Sequence, residues 1–297
     1  DLRLGITIPN NWGIEDPQDV LSIAPKAEEQ GFDSVWVNHH VFNAGYIYER
    51  LGHKPYYDAL TTLNFAAAMT KKVRLGTTIL VLPYLNPMVL AKELATLDVF
   101  SGGRVTVGVG VGALQPESDA LGSDYHTRGR YADESLAIMK ELWTQREPSF
   151  DGRFYQFSGA PFSPKPLQSP HPPLWIGGTS DAALRRVARL GDGWHPNRMS
   201  ADKMRESLAK LQTLLDEQGR TMDEITLSIR TEVDVLTGSS GNADEPLVGT
   251  PQQITDSIKG FEELGVQEVV MQIGSLDIAH INNVMDNFAD KVMPLLR

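Results

Sequence analysis

The chain has 297 residues, of which 41% are hydrophobic and 22% charged, and these proportions argue against a disordered protein. Its formal net charge of −11 argues against nucleic acid or an anionic membrane as a partner, since both attract basic patches. Because the chain contains no cysteine, disulfides, thiolate nucleophiles and cysteine-bound metals are excluded.

Short β-rich runs alternate with amphipathic helical runs along the whole chain. In the first half the sequence predicts strands at residues 4–8, 34–37, 73–81 and 104–109, and helices at 17–30, 58–70, 87–100 and 128–143. In the second half it predicts strands at 174–176, 193–195, 225–230 and 266–273, and helices at 181–190, 201–218, 251–264 and from there to the C-terminus.

Eight strand-to-helix steps in just under 300 residues favour a closed barrel over an open sheet. Strands such as 73–81 are almost continuously apolar, which is typical of parallel strands covered on both faces. We therefore predict an α/β protein with one (β/α)8 TIM-barrel domain over residues 1–297. Residues 144–173 and 231–249 are longer than connectors need to be, and are either binding loops or ordinary surface excursions.

The strand at 174–176 runs into Gly177, Gly178 and Thr179, directly before a predicted helix. Glycines allow a close backbone approach, and a helix N-terminus offers free N–H groups and the positive end of a dipole. This pattern predicts a phosphate site. Without a ligand, the same segment would be a capped helix after a tight turn.

Residues 108–113 formally match the glycine fingerprint of dinucleotide-binding folds. We reject that interpretation because three strand–helix units come first, and because Gln115 and Pro116 disfavour an immediate helix. We expect instead a strand end whose missing side chains, at the glycines of 108–113, leave room for a flat ring. A flexible strand exit is the alternative.

Polar residues follow other strands at the edge where barrel enzymes carry their active sites. Asn38, His39 and His40 follow the second strand, and His40 could bond a cofactor or transfer a proton near neutral pH. Thr78 ends the third strand, where its hydroxyl could meet polar ring atoms, and His195 ends the sixth, where it could face a substrate. Each could equally be a buried structural residue. The histidine spacing matches no zinc site, so we expect no metal.

Together these segments resemble the bacterial luciferase-like family of flavin and deazaflavin oxidoreductases. The resemblance covers nearly the whole chain and is closest to the branch that uses the deazaflavin coenzyme F420. The segments that carry it are GFDSVWVNHH at 31–40, VRLGTTI at 73–79, NP at 86–87 with 91–97, SGGR at 101–104 with 107–112, RGRYADE at 128–134, WIGG at 175–178 and GDGW at 191–194.

The resemblance implies roles for most of the candidate residues. Gly177, Gly178 and Thr179 would hold the cofactor phosphate, and Thr78 and Ile79 would form a non-prolyl cis peptide behind the ring. The remaining cofactor contacts would come from Asn38, His40, Gly110 and Val111, and His40 would also act in catalysis. The chain departs from the family at His39, where aspartate is common. It departs again at Ala113, where the sugar-phosphate dehydrogenases have an acid, which argues against a sugar-phosphate substrate.

The resemblance predicts an F420-dependent oxidoreductase that transfers a hydride between the deazaflavin and a small organic substrate. Three alternatives stay open: an FMN-dependent monooxygenase, a non-catalytic flavin-binding barrel, and a cofactor-free enzyme that binds a sugar phosphate at Gly177 and Gly178. Barrels of this family commonly pair, so we expect a homodimer. We also expect a cytoplasmic protein, because no apolar run could span a bilayer and the first residues carry no signal-peptide pattern.

Overall fold

The computed structural model describes residues 2–238 and 245–297. Eight parallel strands form the central sheet, and each pairs with the next. The last strand pairs with the first, so the sheet closes into the predicted (β/α)8 barrel. The strands are β1 Arg3–Thr7, β2 Ser34–Val37, β3 Arg74–Thr77, β4 Val105–Gly110, β5 Leu174–Gly177, β6 Gly193–His195, β7 Thr226–Val235 and β8 Val266–Gln272.

The helices surround this barrel. The predicted helix at 17–30 is divided at Ser22, while Asp16 caps its start by accepting a hydrogen bond from the Gln18 N–H. The helices are Pro17–Leu21, Ile23–Gln30, Tyr46–Leu51, Ala59–Met69, Pro87–Phe100, Gln115–Ala120, Arg128–Thr144, Asp181–Leu190, Ala201–Glu217, Pro251–Glu263, Ile278–Lys291 and Met293–Leu296. In the described part of the chain, none of them is long and apolar enough to cross a membrane.

Two indoles fill the interior of the barrel. Trp36 of β2 stacks on Trp175 of β5, with ring centroids 5.3 Å apart, so the pair reaches across the barrel from opposite sides. Gly76 on the neighbouring strand makes room for them, because a Cβ atom there would overlap the Trp36 ring. Gly193 does the same beside Trp175. A larger apolar cluster lies between the sheet and the helices.

The structure refines three sequence predictions. The predicted strand at 73–81 is interrupted after Thr77 and resumes at Leu80–Val81. The segment 144–173 contains a small antiparallel pair, Phe150–Asp151 with Gln156–Phe157. In the second long segment, residues 231–235 continue β7 beyond the predicted strand 225–230, and Leu247–Gly249 adds a parallel strand beside it. Residues 239–244 of that segment lie outside the described residues.

Candidate active site

A cavity of about 790 Å³ opens at the carboxyl ends of the strands, and its size suits a cofactor together with a small substrate. Eight of the nine predicted cofactor residues line it: Asn38, His40, Thr78, Ile79, Gly110, Val111, Gly177 and Gly178. Thr179 is exposed between Gly178 and Ser180, both of which line the wall. The barrel therefore brings together, at one rim, residues that are separated by up to 140 positions in the sequence.

The peptide bond between Thr78 and Ile79 is cis, as the family resemblance implies. The Ile79 side chain forms an apolar part of the cavity wall and covers the ends of two neighbouring strands. A Cβ atom at Gly110 would come 2.6 Å from Ile79 Cδ1, and one at Gly177 would come 3.1 Å from Ile79 Cγ2.

This packing corrects two arguments about the glycine-rich segment. The missing side chains of Gly108 and Gly110 make room for the protein's own Thr77 carbonyl and Ile79 side chain, and not directly for a ring. The prediction that Gln115 and Pro116 disfavour a helix directly after the glycines was also wrong, because a short helix begins at Gln115. The segment is nevertheless the fourth strand of a barrel, so the dinucleotide-fold interpretation stays rejected.

Two helix N-termini meet at one end of the cavity. Gly178 has a φ of 101°, a conformation that favours glycine, and leads into the helix Asp181–Leu190, whose Ser180 cap accepts a hydrogen bond from Ala183 N–H. Gly129 lies in the first turn of the helix Arg128–Thr144, and its carbonyl accepts a hydrogen bond from Arg186. Together the two helix ends form a cradle suited to an anion. Arg186 also pairs with Asp133, at 2.6 Å, which ties the two helices together.

His40 forms a dyad with Glu117, a residue that the sequence analysis missed. His40 Nδ1 lies 2.6 Å from Glu117 Oε2. The other carboxylate oxygen accepts hydrogen bonds from Val41 N–H, at 2.7 Å, and Phe42 N–H, at 3.0 Å. Glu117 lies four residues beyond Ala113, in the short helix Gln115–Ala120, so a search for acids just after the glycines of the fourth strand would have found it.

The environment keeps the Glu117 carboxylate charged. Burial raises the pKa of Glu117, but hydrogen bonds from His40 and from the backbone of Phe42 and Val41 outweigh it, so the pKa is lowered overall. Burial and the Glu117 charge raise the pKa of Tyr84, whose hydroxyl donates to Glu117 at 3.1 Å. A charged acceptor favours a proton on His40 Nδ1 and leaves Nε2, 3.3 Å from the Tyr46 hydroxyl, as the acceptor in the neutral ring.

Asn38 offers an unused donor at the cavity wall. The side chain of Asn10 bonds both the N–H and the carbonyl of Asn38, which fixes its backbone. The Asn38 Nδ2 atom is buried and has no partner among the residues that the structure describes. Because a buried donor without an acceptor is costly, this atom fits a ligand that carries a polar ring atom. The cradle, the apolar Ile79 and this donor therefore fit a cofactor of the flavin type.

The neighbouring His39 has a structural role. Its Nδ1 atom accepts a hydrogen bond from Val81 N–H, at 2.9 Å, which joins the end of β2 to the strand segment after the cis peptide. Burial lowers the pKa of His39 to about 4, so the ring is neutral near pH 7.

His195 does not face the cavity, contrary to the expectation that it meets a substrate. Only 2% of it is exposed, and both ring nitrogens have protein partners. Ser228 Oγ donates to the Trp194 carbonyl, so His195 Nδ1–H donates to Ser228 Oγ at 2.6 Å, and His195 Nε2 accepts from Thr78 Oγ1 at 2.9 Å. Burial lowers its pKa to about 3, which keeps the ring neutral. His195 therefore holds the side chain of Thr78, the first residue of the cis peptide, from inside the protein.

Comparisons with known proteins agree with this geometry. A family model described as luciferase-like monooxygenase matches residues 4–240. The FMNH(2)-dependent dimethylsulfone monooxygenase of Pseudomonas putida is 26% identical over 338 residues, which covers 97% of this chain and 89% of that protein. The F420-dependent glucose-6-phosphate dehydrogenase of Kineococcus radiotolerans is 33% identical over 220 residues, which covers 72% of this chain but only 63% of that protein.

A solved structure shares the fold over its full length. An F420-dependent secondary alcohol dehydrogenase, solved in complex with an F420-acetone adduct, superposes with a TM-score of 0.82 at 20% identity. The match covers 100% of this chain and 99% of that one.

Proposed function

Because the chain belongs to the luciferase-like monooxygenase family, an oxidoreductase family with F420-dependent and FMN-dependent members, we propose that it is an F420-dependent oxidoreductase acting on a small organic substrate. The observation that carries the proposal is the combination of features in one cavity. An anion cradle lies at one end, Ile79 forms an apolar wall, and the His40–Glu117 dyad lies at the rim.

Each part of the cavity has a defined task in this proposal. The backbone around Gly177 and Gly178 holds the phosphate, with Thr179 beside it, and Ile79 supports one face of the ring while Gly110 and Val111 border it. Asn38 Nδ2 donates to a polar atom of the ring. When bound, the deazaflavin supplies or accepts the hydride. His40 holds or releases the accompanying proton at Nε2, and Glu117 fixes its tautomer.

The second candidate is an FMN-dependent monooxygenase, which is favoured by the relative from Pseudomonas putida, of which the alignment covers 89%. F420 and FMN share a tricyclic ring and a ribityl phosphate, so the same cavity suits both. A titration decides between them, with purified protein, each cofactor in turn, and fluorescence quenching as the measurement. We expect binding of F420 and at least tenfold weaker binding of FMN. Tight FMN binding without F420 binding would favour the monooxygenase.

Turnover separates the remaining alternatives. An enzyme oxidises or reduces its bound cofactor in the presence of small alcohols, ketones or imines, whereas a non-catalytic flavin-binding barrel leaves it unchanged. A cofactor-free enzyme would bind sugar phosphates and neither cofactor.

A cytoplasmic homodimer is part of the proposal. Phe65 and Met69 lie one turn apart on the helix Ala59–Met69, and both are exposed. Val99 and Phe100 end the neighbouring helix Pro87–Phe100, and Phe100 is 84% exposed. Exposed apolar side chains on adjacent helices are typical of an interface between protein chains. Light scattering coupled to gel filtration measures the mass directly, and a monomer would contradict this part of the proposal.

A further inference from the structure

The charge of the cavity wall is opposite in sign to that of the whole chain. Five arginines line the cavity, and no aspartate or glutamate does so among the residues that the structure describes: Arg50, Arg128, Arg186, Arg198 and Arg230. The chain as a whole carries a net charge of −11. A cavity with this lining attracts an anion, because the field of the local groups outweighs that of distant, screened charges.

The arginines divide into two groups at different places along the barrel rim. Arg128 and Arg186 lie with Gly129 and Ser180, at the cradle beside β4 and β5. Arg50 follows β2, Arg198 follows β6, and Arg230 lies in β7. The closed order of the strands places β3 between β2 and β4, and β6 between β5 and β7, so Arg50 and Arg230 are separated from the cradle. Arg198 follows the strand next to β5. A single phosphate at the cradle therefore does not account for Arg50 and Arg230.

Arg230 forms hydrogen bonds with neutral groups, and the nearby carboxylate of Glu232 already pairs with Arg198. Arg230 donates to the Thr78 carbonyl, at 3.3 Å, and to the side-chain oxygen of Gln272. Both acceptors are neutral, and within residues 2–238 and 245–297 no carboxylate forms an ion pair with Arg230. Two of its five N–H groups are used, so three remain for a ligand. Its contact with Thr78 places it beside the seat proposed for the ring.

Arg50 also has a hydrogen-bond donor that no described residue accepts. Its Nη2 atom donates to the carbonyl of Asn11, and its guanidinium lies over the Trp12 ring, 4.2 Å from the ring centroid. The Arg50 Nε atom is buried and unpartnered within the described part of the chain, and so is Asn11 Oδ1. Arg198, by contrast, pairs with Glu232 at 2.8 Å. Glu232, whose charge reaches both Arg50 and Arg230, is thus taken up by Arg198. Arg50 and Arg230 therefore bring to one cavity two guanidinium groups that form no ion pair of their own in the described part of the chain.

We propose that Arg50 and Arg230 form a subsite for an oxyanion of the substrate, so that the substrate class is a small organic anion such as a carboxylate, a sulfonate or a phosphate ester. This inference rests on the proposed function, since it assigns the cradle to the cofactor, and the wall that carries Arg50 and Arg230 to the substrate. Arginine suits this task because its planar fork bonds two oxygens of one anion.

The test measures anion binding to the cofactor-loaded protein by calorimetry at constant ionic strength. In this proposal the bound cofactor occupies the cradle. A probe anion is then left with the wall that carries Arg50 and Arg230. The probes are acetate, methanesulfonate and inorganic phosphate, and dimethyl sulfone is the neutral counterpart of methanesulfonate. We expect at least one anion to bind, and dimethyl sulfone to bind at least tenfold more weakly. Comparing the three anions identifies which oxyanion the subsite prefers.

Three variants assign the binding to particular arginines. Arg50→Gln and Arg230→Gln should each weaken anion binding by about ten- to a hundredfold, the loss expected for a charged hydrogen bond, while the cofactor Kd stays unchanged. Arg128→Gln should instead weaken cofactor binding and leave anion binding unchanged. Arg50→Gln also keeps the test valid if removing the more enclosed Arg230 prevents folding. Arg205→Gln, on an exposed helix face, controls for the general loss of positive charge.

Several results would overturn the inference. It fails if Arg50→Gln and Arg230→Gln weaken the cofactor as much as Arg128→Gln does, or if Arg205→Gln weakens the anions equally. It also fails if no probe anion binds better than dimethyl sulfone. If the wild-type protein binds neither F420 nor FMN, the proposed function fails. The anion titration of the protein alone then decides the subsite by whether Arg50→Gln and Arg230→Gln weaken anion binding more than Arg128→Gln does.

Discussion

Replacing Glu117 by glutamine tests the His40 dyad with almost no change of shape. The carboxylate accepts four hydrogen bonds, from His40 Nδ1, the backbone N–H groups of Val41 and Phe42, and the Tyr84 hydroxyl. The amide oxygen of Glu117→Gln can retain both backbone bonds. Its NH2 group then faces His40 and Tyr84, so two acceptor contacts become donor contacts and the charge disappears.

The size of the effect follows from the charged hydrogen bond between His40 and Glu117. A hydrogen bond to a charged group contributes about 1.5–3 kcal/mol, so the preference of His40 for a proton on Nδ1 should fall by about ten- to a hundredfold. With the amide facing Nδ1, the proton of the neutral ring moves to Nε2. If His40 exchanges a proton with the substrate, turnover should fall by a similar factor while the cofactor Kd is unchanged.

The assay is the ¹⁵N NMR spectrum of the histidine side chains in the neutral ring state, together with urea unfolding. Glu134→Gln is the matched control, because Glu134, like Glu117, accepts backbone N–H bonds, here three from residues 153–155, but does not line the cavity. Both variants should lose stability, and only Glu117→Gln should change the His40 spectrum. A proton that stays on Nδ1 in Glu117→Gln would refute the proposed role of the carboxylate.

Three further predictions concern the cradle, the barrel interior and pH. Gly178→Ala should weaken cofactor binding, because its φ of 101° disfavours a side chain and its Cβ would lie 3.1 Å from Ala183 Cβ; Gly219→Ala, at a φ of 65° with no neighbour, should lose stability but no affinity in the same titration. Gly76→Ala should cost at least about 1–3 kcal/mol in urea unfolding, because its Cβ overlaps Trp36, whereas Gly260→Ala inside a helix should gain about 0.5–1 kcal/mol; equal effects would contradict the packing argument. The two buried histidines have pKa values lowered from 6.5 to about 4 and about 3, so the unfolded chain binds their protons first on acidification. Stability should therefore fall as the pH drops below 6.5, by up to about 1.4 kcal/mol per pH unit for each histidine, and a flat pH dependence between 6.5 and 5 would contradict their neutral burial.

The architecture was predictable from the sequence because it depends on a repeated local pattern. Alternating strand and helix runs, with glycine and proline at their ends, recur eight times, and the rule that barrel sites lie at the carboxyl ends of strands then places Asn38, Gly110 and Gly177 at one rim. The cis peptide at Thr78 came from the family resemblance alone, since no local pattern of residue types indicates one.

The site residues that the sequence did not predict correctly depend on contacts between side chains that are distant in the sequence. His195 follows a strand end as a site residue would, but the inward or outward direction of its ring depends on Ser228 and Thr78, which are 33 and 117 positions away. The role of Glu117 becomes recognisable only when the short helix brings it against His40, 77 positions earlier. Such pairings depend on the register of the closed barrel, which periodicity along one segment does not encode.

The packing around Ile79 restricts how the proposed cofactor site could be redesigned. Its side chain meets the positions where Cβ atoms of Gly110 and Gly177 would stand, so three neighbouring strands share one steric limit. Enlarging either glycine would push Ile79 into the space above it, whereas trimming Ile79 to valine or alanine would deepen the cavity and leave both glycines as they are. A broader repertoire of ring analogues is therefore reached by shortening this one side chain, and any larger residue on the adjoining strands has to be introduced after that change.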